Sequence, residues 1–249
     1  RIHLRLNSVS ATYGDIVAVG ISSDLTLISS GEQWITENTR PVTIQRVDAG
    51  VPIDNLHFEV SLAYNQDLRL SGFSGELLKG ALTADALVWN LNGAERHSEL
   101  AFTGISLNTL AKEMESENFA ASGLLDARLP ITTDRQGITI ENGTLDARAP
   151  GGRLRYYGAF SPSMLTSNPQ LKLIAGALED YNYREIHGTI NYPLSGDLKL
   201  NLKLTGRSEA VDANRDLVIN LNLENNVPSM LKSLQASRNL TDVLENAVQ

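Results

Sequence analysis

Strict alternation between leucine and polar residues in one segment is the feature that most constrains the fold. Residues 196–206 read GDLKLNLKLTG, with leucine at positions 198, 200, 202 and 204. Successive side chains of a β-strand point to opposite faces, so this segment forms one apolar face and one polar face. It therefore predicts a strand whose leucine face is covered by a second sheet, by a helix or by an apolar material other than protein.

The same alternation returns along the chain and predicts a protein made mainly of strands. In residues 217–224, leucine or isoleucine again occupies every second position and alternates with Val218, Asn220, Asn222 and Glu224. Ile138 and Ile140 precede Asn142-Gly143, a pair that favours a hairpin turn, and Leu145 and Ala147 follow. Less regular alternation, mostly bounded by glycine or proline, marks further strands at 16–28, 41–47, 53–64, 66–73, 81–91, 96–104 and 119–131.

Only three regions have the apolar spacing of helices. Ser106 is a plausible N-cap before Leu107, Leu110, Ala111 and Met114. Asn168-Pro169 is a cap followed by a first-turn proline, and apolar residues at 171, 174 and 178 continue with helical spacing. The spacing in 226–249 predicts a tail of two short helices, so we expect a β domain at 1–225 and a helical tail.

The predicted helices are too few and too short to cover so many half-apolar strands. Two arrangements could accommodate the apolar strand faces that the helices leave uncovered. The sheet either folds back on itself as a sandwich or barrel, or it curls and leaves an apolar trough. Alternation alone does not distinguish them.

Composition excludes several classes of function. The formal net charge is −8 and the basic residues are scattered, which argues against a nucleic-acid partner. The absence of cysteine excludes disulfides and thiolate chemistry, and no apolar run approaches the roughly 18 residues of a membrane span. The chain starts with Arg1 inside an alternating run, so we expect a fragment whose N-terminal partner strands are missing.

No arrangement of residues predicts an enzyme, a metal site or a cofactor. His3, His57, His97 and His187 lie far apart, and none has a second ligand at metal-binding spacing. The segment 72–75, Gly-Phe-Ser-Gly, lacks the residue that a nucleophile elbow needs between its serine and its last glycine. We therefore do not expect an enzyme.

Three long stretches resemble the C-terminal domain of an AsmA-like protein of Gram-negative envelopes. They read LVWNLNGAERHSELAFTGISLNTL, NFAASGLLDARLPI with the following ITIENGTLDARAPGGRLRYYG, and LIAGALEDYNYREIHGTINYPLSGDLKLNLKLTGRS. The resemblance extends over essentially the whole chain. It implies a long, curled, mostly antiparallel sheet with an open groove and three or four short helices.

The resemblance also implies a function, a location and partners. AsmA-like proteins of this kind are bridge-like phospholipid transporters, anchored in the inner membrane by an N-terminal helix and crossing the periplasm. This segment would be the end near the outer membrane. There a small lipoprotein, YnbE, would add a strand to the sheet, and a periplasmic protein, YdbL, is linked to the same system.

Since the resemblance supplies no functional residue, candidates come from alternation alone. The predicted groove-lining residues are Leu198, Leu200, Leu202, Leu204, Leu217, Ile219, Leu221, Leu223, Ile138, Ile140 and Leu145. The last clear strand is the predicted edge for a partner, through Leu217, Val218, Ile219, Asn220, Leu221 and Asn222. The alternative function is a β-sandwich module that binds carbohydrate or protein.

Overall fold

A computed structural model describes residues 1–14, 16–31, 33–114, 117–158 and 161–226 and shows fifteen strands in a single antiparallel sheet. The strands are β1 (Ile2–Tyr13), β2 (Ile16–Ser30), β3 (Gln33–Thr36), β4 (Arg40–Asp48), β5 (Pro52–Leu62), β6 (Asp67–Leu77), β7 (Gly80–Asn90), β8 (Arg96–Ser106), β9 (Phe119–Ala121), β10 (Leu124–Thr133), β11 (Ile138–Ala147), β12 (Gly152–Tyr156), β13 (Tyr181–Tyr192), β14 (Asp197–Ser208) and β15 (Asp212–Asn226). Apart from residue 226, the predicted helical tail lies outside the described residues.

Neighbouring strands in the sheet are mostly neighbours in sequence. The order runs β1-β2-β4-β5-β6-β7-β8-β10-β11-β13-β14-β15. Strands β3 and β4 pair with different residues of β2, and strands β11 and β12 pair with different residues of β13. The sheet does not close on itself, and within the described residues all strands belong to it. The prediction of a mainly β, open antiparallel sheet is therefore confirmed, and the second sheet of a sandwich is not among these strands.

The predicted hairpin turn at Asn142-Gly143 is wrong. Residues 138–147 form one strand, β11, and Asn142 is a positive-φ residue (55°) inside it. The pairing of β11 with both β10 and β13 shifts register at this point. Asparagine tolerates the left-handed region, and here that tolerance serves a β-bulge rather than a turn.

This bulge explains why a strict period of two does not describe the strand. An extra residue moves the following side chains to the other face. Ile138 and Ile140, at even positions, therefore share a face with Leu145 and Ala147, at odd positions. Gly72, at φ 59° in β6, is another positive-φ position, and the pairing of β5 with β6 shifts register beside it.

Two of the three described helices begin where the sequence predicts. Helix α1 (Leu107–Glu113) follows Ser106, whose hydroxyl accepts a hydrogen bond from the Thr109 N–H at 3.2 Å. Helix α3 (Pro169–Leu178) follows Asn168, whose side-chain oxygen accepts one from the Gln170 N–H at 3.0 Å. The short helix α2 (Pro162–Ser167) is not predicted. None of the helices in the described part of the chain is both long and apolar enough to cross a bilayer.

Buried apolar side chains fall into two groups. One lies in β3 to β7 and comprises Ile35, Val42, Leu56, Val60, Leu82, Ala84, Leu87 and Val88. The other, which we call the covered cluster, comprises Leu107, Ala111, Ala121, Ala177, Leu178, Tyr181, Tyr183, Ile186, Leu204 and Ile219. Helices α1 and α3 contribute residues to the covered cluster, so they cover part of one face in the second half of the sheet.

Candidate functional site: one apolar face of the sheet

Apolar side chains at paired positions form continuous rows that run from strand to strand. The longest row begins in β6 and ends in β15, and each member is paired with the next. Its residues, which we call the boundary row, are Gly75, Leu82, Phe102, Ala127, Leu145, Gly188, Leu202 and Leu221. In β5, Leu56 lies against Gly75 and extends the row, because a Cβ at Gly75 would lie 2.7 Å from Leu56 Cδ2.

The opposite face of the same strands is polar. One residue further along each strand, the paired positions are Asp126, Asp146, His187, Lys203 and Asn220. His187 Nδ1 lies 2.6 Å from Asp146 Oδ1, and both side chains are exposed. The sheet therefore has one face suited to water and one suited to apolar material.

Part of the apolar face is covered by protein. Ile186, Leu204 and Ile219 are paired across β13, β14 and β15, and their exposed fractions are 4%, 1% and 2%. All three belong to the covered cluster, and we call them the covered row. The boundary row lies two residues away along each strand, and its Leu145, Leu202 and Leu221 are half-buried against this cluster.

Two buried tyrosines fix the covered part. The Tyr181 hydroxyl donates to the Leu217 carbonyl oxygen at 2.6 Å, and the Tyr183 hydroxyl donates to that of Ser122 at 2.7 Å. Burial raises the pKa of the Tyr181 hydroxyl and that of the Tyr183 hydroxyl to about 12 each. Both groups are therefore neutral hydrogen-bond donors at physiological pH, and their role here is structural.

A second row on the same face lies outside the covered cluster. It contains Leu100, Leu129, Gly143, Ile190, Leu200 and Leu223, and we call it the open row. Leu129 lies over Gly143, because a Cβ at that glycine would be 2.9 Å from Leu129 Cδ2. Leu223 is 51% exposed, although it is paired directly with Leu200.

A third row, the rim row, follows at the strand ends opposite the helices. Ile131, Ile140 and Tyr192 are paired across β10, β11 and β13. All three are half-buried, and none contacts the covered cluster. The apolar face therefore continues beyond the open row to the ends of these strands.

The structure places the predicted lining residues in three different surroundings. Leu204 and Ile219 lie in the covered cluster, and Leu145, Leu202, Leu217 and Leu221 are half-buried against it. The remaining predicted residues lie outside it and are half-buried or exposed: Ile138, Ile140, Leu198, Leu200 and Leu223.

Sequence reasoning missed several members of the uncovered rows. Ile190 and Tyr192 alternate with polar residues in the segment 186–192, IHGTINY, and this was the available signal. Leu129 had a similar signal in the segment 125–132, LDARLPIT, and Leu100 had a weaker one, since it alternates with Phe102 in the segment 99–103, ELAFT.

The predicted partner edge lies in β15. Within the described residues, this strand pairs only with β14, so residues 217–222 present one row of backbone groups to no other described strand. Val218 points away from the covered side and is 48% exposed, whereas its neighbour Ile219 is 2% exposed.

The described residues contain no group of three or more histidine or acidic side chains that converge on a metal position. The notable feature of the molecule is therefore the apolar face with its covered and uncovered parts.

Comparison with known proteins identifies the family of the chain. Residues 1–249 match the YdbH-like family, described as intermembrane phospholipid transport protein YdbH. Searches of curated proteins and of solved structures found no significant match. The match to the family extends over the whole chain. The chain therefore belongs to the YdbH-like family of intermembrane phospholipid transport proteins.

Proposed function

We propose that the uncovered apolar rows carry phospholipid acyl chains through the periplasm between the inner and outer membranes. The observation that carries this proposal is the open row, which continues from β8 to β15 without a charged side chain. Exposing a phospholipid with about 30 methylenes to water costs about 24 kcal/mol, at roughly 0.8 kcal/mol per methylene. A continuous apolar face removes much of that cost.

The distribution of polar groups supports movement rather than tight capture. The charged side chains described above lie on the opposite face, as in the row from Asp126 to Asn220. A site that fixes one ligand uses a few convergent polar groups, whereas aliphatic side chains hold an acyl chain without fixing its position. Leucine and isoleucine dominate the open and rim rows.

The resemblance to AsmA-like proteins supports a position near the outer membrane, in a bridge whose N-terminal anchor lies in the inner membrane. We propose that the outer-membrane lipoprotein YnbE adds a strand to β15, and that YdbL acts in the same system. Within the part of the chain that the structure describes, β15 pairs only with β14, and this edge supports strand addition because unpaired backbone groups bind extended segments.

Native mass spectrometry of gently purified protein tests the lipid proposal. We expect phospholipid to copurify with the chain and to be lost when Leu200 is replaced by aspartate. The matched control is Asn201→Asp, which adds the same charge on the opposite face. A module that binds carbohydrate or protein would carry no lipid, and a lipid-free chain would contradict the proposal.

Binding of the lipoprotein to β15 variants tests strand addition. A proline at Val218 removes one backbone donor and disturbs the edge, so the affinity should fall at least about tenfold. The control is Val218→Thr, which keeps the backbone donor and a β-branched side chain. Equal affinity of both variants would exclude this stretch of β15 as the docking edge.

A further inference from the structure

We infer that the last strands accept lipids with two acyl chains and exclude lipids with four. This inference rests on the proposed function and adds a substrate class to it. Its basis is the width of apolar face, between the helices and the strand ends, that the described residues leave uncovered.

The covered cluster bounds the uncovered part of the apolar face on one side. Its neighbours reach as far as Leu145, Leu202 and Leu221 in the boundary row. The next residues of that face, Leu200 and Leu223, lie outside it, and the Leu223 side chain is 51% exposed. Among the described residues, the protein cover therefore stops between the boundary row and the open row.

The ends of the strands bound the uncovered part of the apolar face on the other side. Ile140 and Tyr192 of the rim row are paired with each other, and Tyr192 is the last residue of β13. On β14, Leu198 is the first leucine, one position after Asp197 starts the strand. Among the described residues of β13 and β14, only the open row and the rim row thus lie between the cover and the strand ends, and on β11 the single residue Ile138 lies beyond the rim row.

Two rows provide room for two chains. Residues on one face of a strand repeat every second position, so adjacent rows lie about 7 Å apart. Carbon atoms of neighbouring chains make contact at roughly 3.5–4.0 Å, so one extended acyl chain fits along each row. A third and fourth chain would have no apolar row to contact and would remain exposed to water.

Competition between vesicle lipids measures this limit. The full chain is incubated with vesicles containing phosphatidylethanolamine and cardiolipin in equal numbers, and native mass spectrometry identifies the bound lipid. We expect the two-chain lipid to exceed the four-chain lipid at least about tenfold, since two exposed methylenes already correspond to such a ratio. Equal binding of cardiolipin would overturn this inference and leave the proposed function standing. Failure to bind either lipid would overturn both.

A variant that narrows the uncovered face gives an independent test. Leu200→Trp fills part of the open row, so binding of phosphatidylethanolamine should fall while its single-chain lyso form is retained. The matched control, Asn201→Trp, places the same side chain on the opposite face and should change neither. Unaltered selectivity between one-chain and two-chain lipids in Leu200→Trp would contradict the assignment of one chain to each row.

Discussion

Leu200 and Leu204 belong to the same strand, point to the same face and are each paired with an aliphatic residue of β15, yet their surroundings differ. Leu204 is 1% exposed and lies in the covered cluster, next to Ile219. Leu200 lies outside that cluster, next to Leu223, which is 51% exposed. Among the described residues, Leu204 is part of a protein core and Leu200 is part of an apolar surface outside it.

The difference shows that alternation specifies which face is apolar but not what covers it. The cover comes from α1, which lies between β8 and β9 in the sequence, and from α3, which lies just before β13. Both helices contribute residues to the covered cluster. Where they are present, the tyrosines and leucines form a conventional core. Where they are absent, we propose that lipid takes the place of protein.

The largest expected difference between the two regions comes from placing a charge in each. Leu204→Asp buries an unpaired carboxylate and should destabilise the fold by about 4 kcal/mol or more. Leu200→Asp leaves the carboxylate within reach of water and should change the free energy of unfolding by less than about 1 kcal/mol. Urea denaturation of both variants measures the contrast. Equal destabilisation would mean that both positions belong to one closed core.

The second-largest effect is expected at high pH, which should lower the stability of the covered region. Burial raises the pKa of Tyr181 and Tyr183 to about 12, whereas a tyrosine in the unfolded chain has a pKa of about 10. Between these two pH values the folded protein therefore keeps both hydroxyl protons, and the unfolded chain loses them. Their contribution is complete below pH 10 and is lost as the pH rises from about 10 through 12, by up to roughly 3 kcal/mol for each tyrosine. Chemical denaturation across this range measures the loss.

Replacing both tyrosines by phenylalanine gives the control for the pH experiment. The double variant should be less stable at neutral pH, because the Leu217 and Ser122 carbonyl groups lose their donors. Its stability should also vary less between pH 10 and 12. An unchanged slope would assign the alkaline effect to other groups.

A smaller effect is expected at the boundary between the regions. A Cβ at Gly188 would lie 2.7 Å from Leu202 Cδ2 and 3.4 Å from Leu145 Cβ, so Gly188→Ala must displace the Leu202 side chain. We expect a loss of about 1–2 kcal/mol in the free energy of unfolding. Gly176→Ala in α3 is the control, because a Cβ there meets no atom within 4 Å. It should stabilise the fold by up to about 1 kcal/mol. Equal effects would contradict close contact at Gly188.

The smallest effect is expected on the polar face. Asp126 accepts hydrogen bonds from the Gly104 N–H at 2.7 Å and from Arg148 Nε at 2.8 Å, and Arg148 lowers the pKa of this carboxyl group. Since the two charged side chains are about 40% exposed, solvent screening limits the effect of Asp126→Asn to about 1 kcal/mol or less at pH 7. The difference should disappear as the pH falls below about 4, through the lowered pKa. A larger loss that is independent of pH would point to backbone rearrangement at Gly104.

Many of the strands, though not their order in the sheet, could be predicted because alternation is regular in β14 and β15, where leucine or isoleucine occupies every second position of 198–204 and 217–223. The caps of α1 and α3 were equally readable, since Ser106 and Asn168 use their side chains as the sequence predicts. The bulge at Asn142 could not be distinguished from a turn, because the same residue suits both conformations.

The boundary between covered and open surface could not be predicted. Leu200 and Leu204 each lie between a lysine and an uncharged polar residue, and nothing in the local sequence indicates that the helices cover only one of them. That contact joins residues far apart in the chain, such as Leu178 and Leu204 of the covered cluster. Helix placement on the sheet depends on three-dimensional packing, whereas alternation depends on local strand geometry.

Site-specific photo-crosslinking at these two leucines tests the central claim most directly. A photoreactive residue is placed at position 200 or at position 204 of the full chain, which is then exposed to vesicles of phosphatidylethanolamine. The account predicts a lipid adduct at position 200 and none at position 204. Adducts at both positions, or at neither, would contradict it.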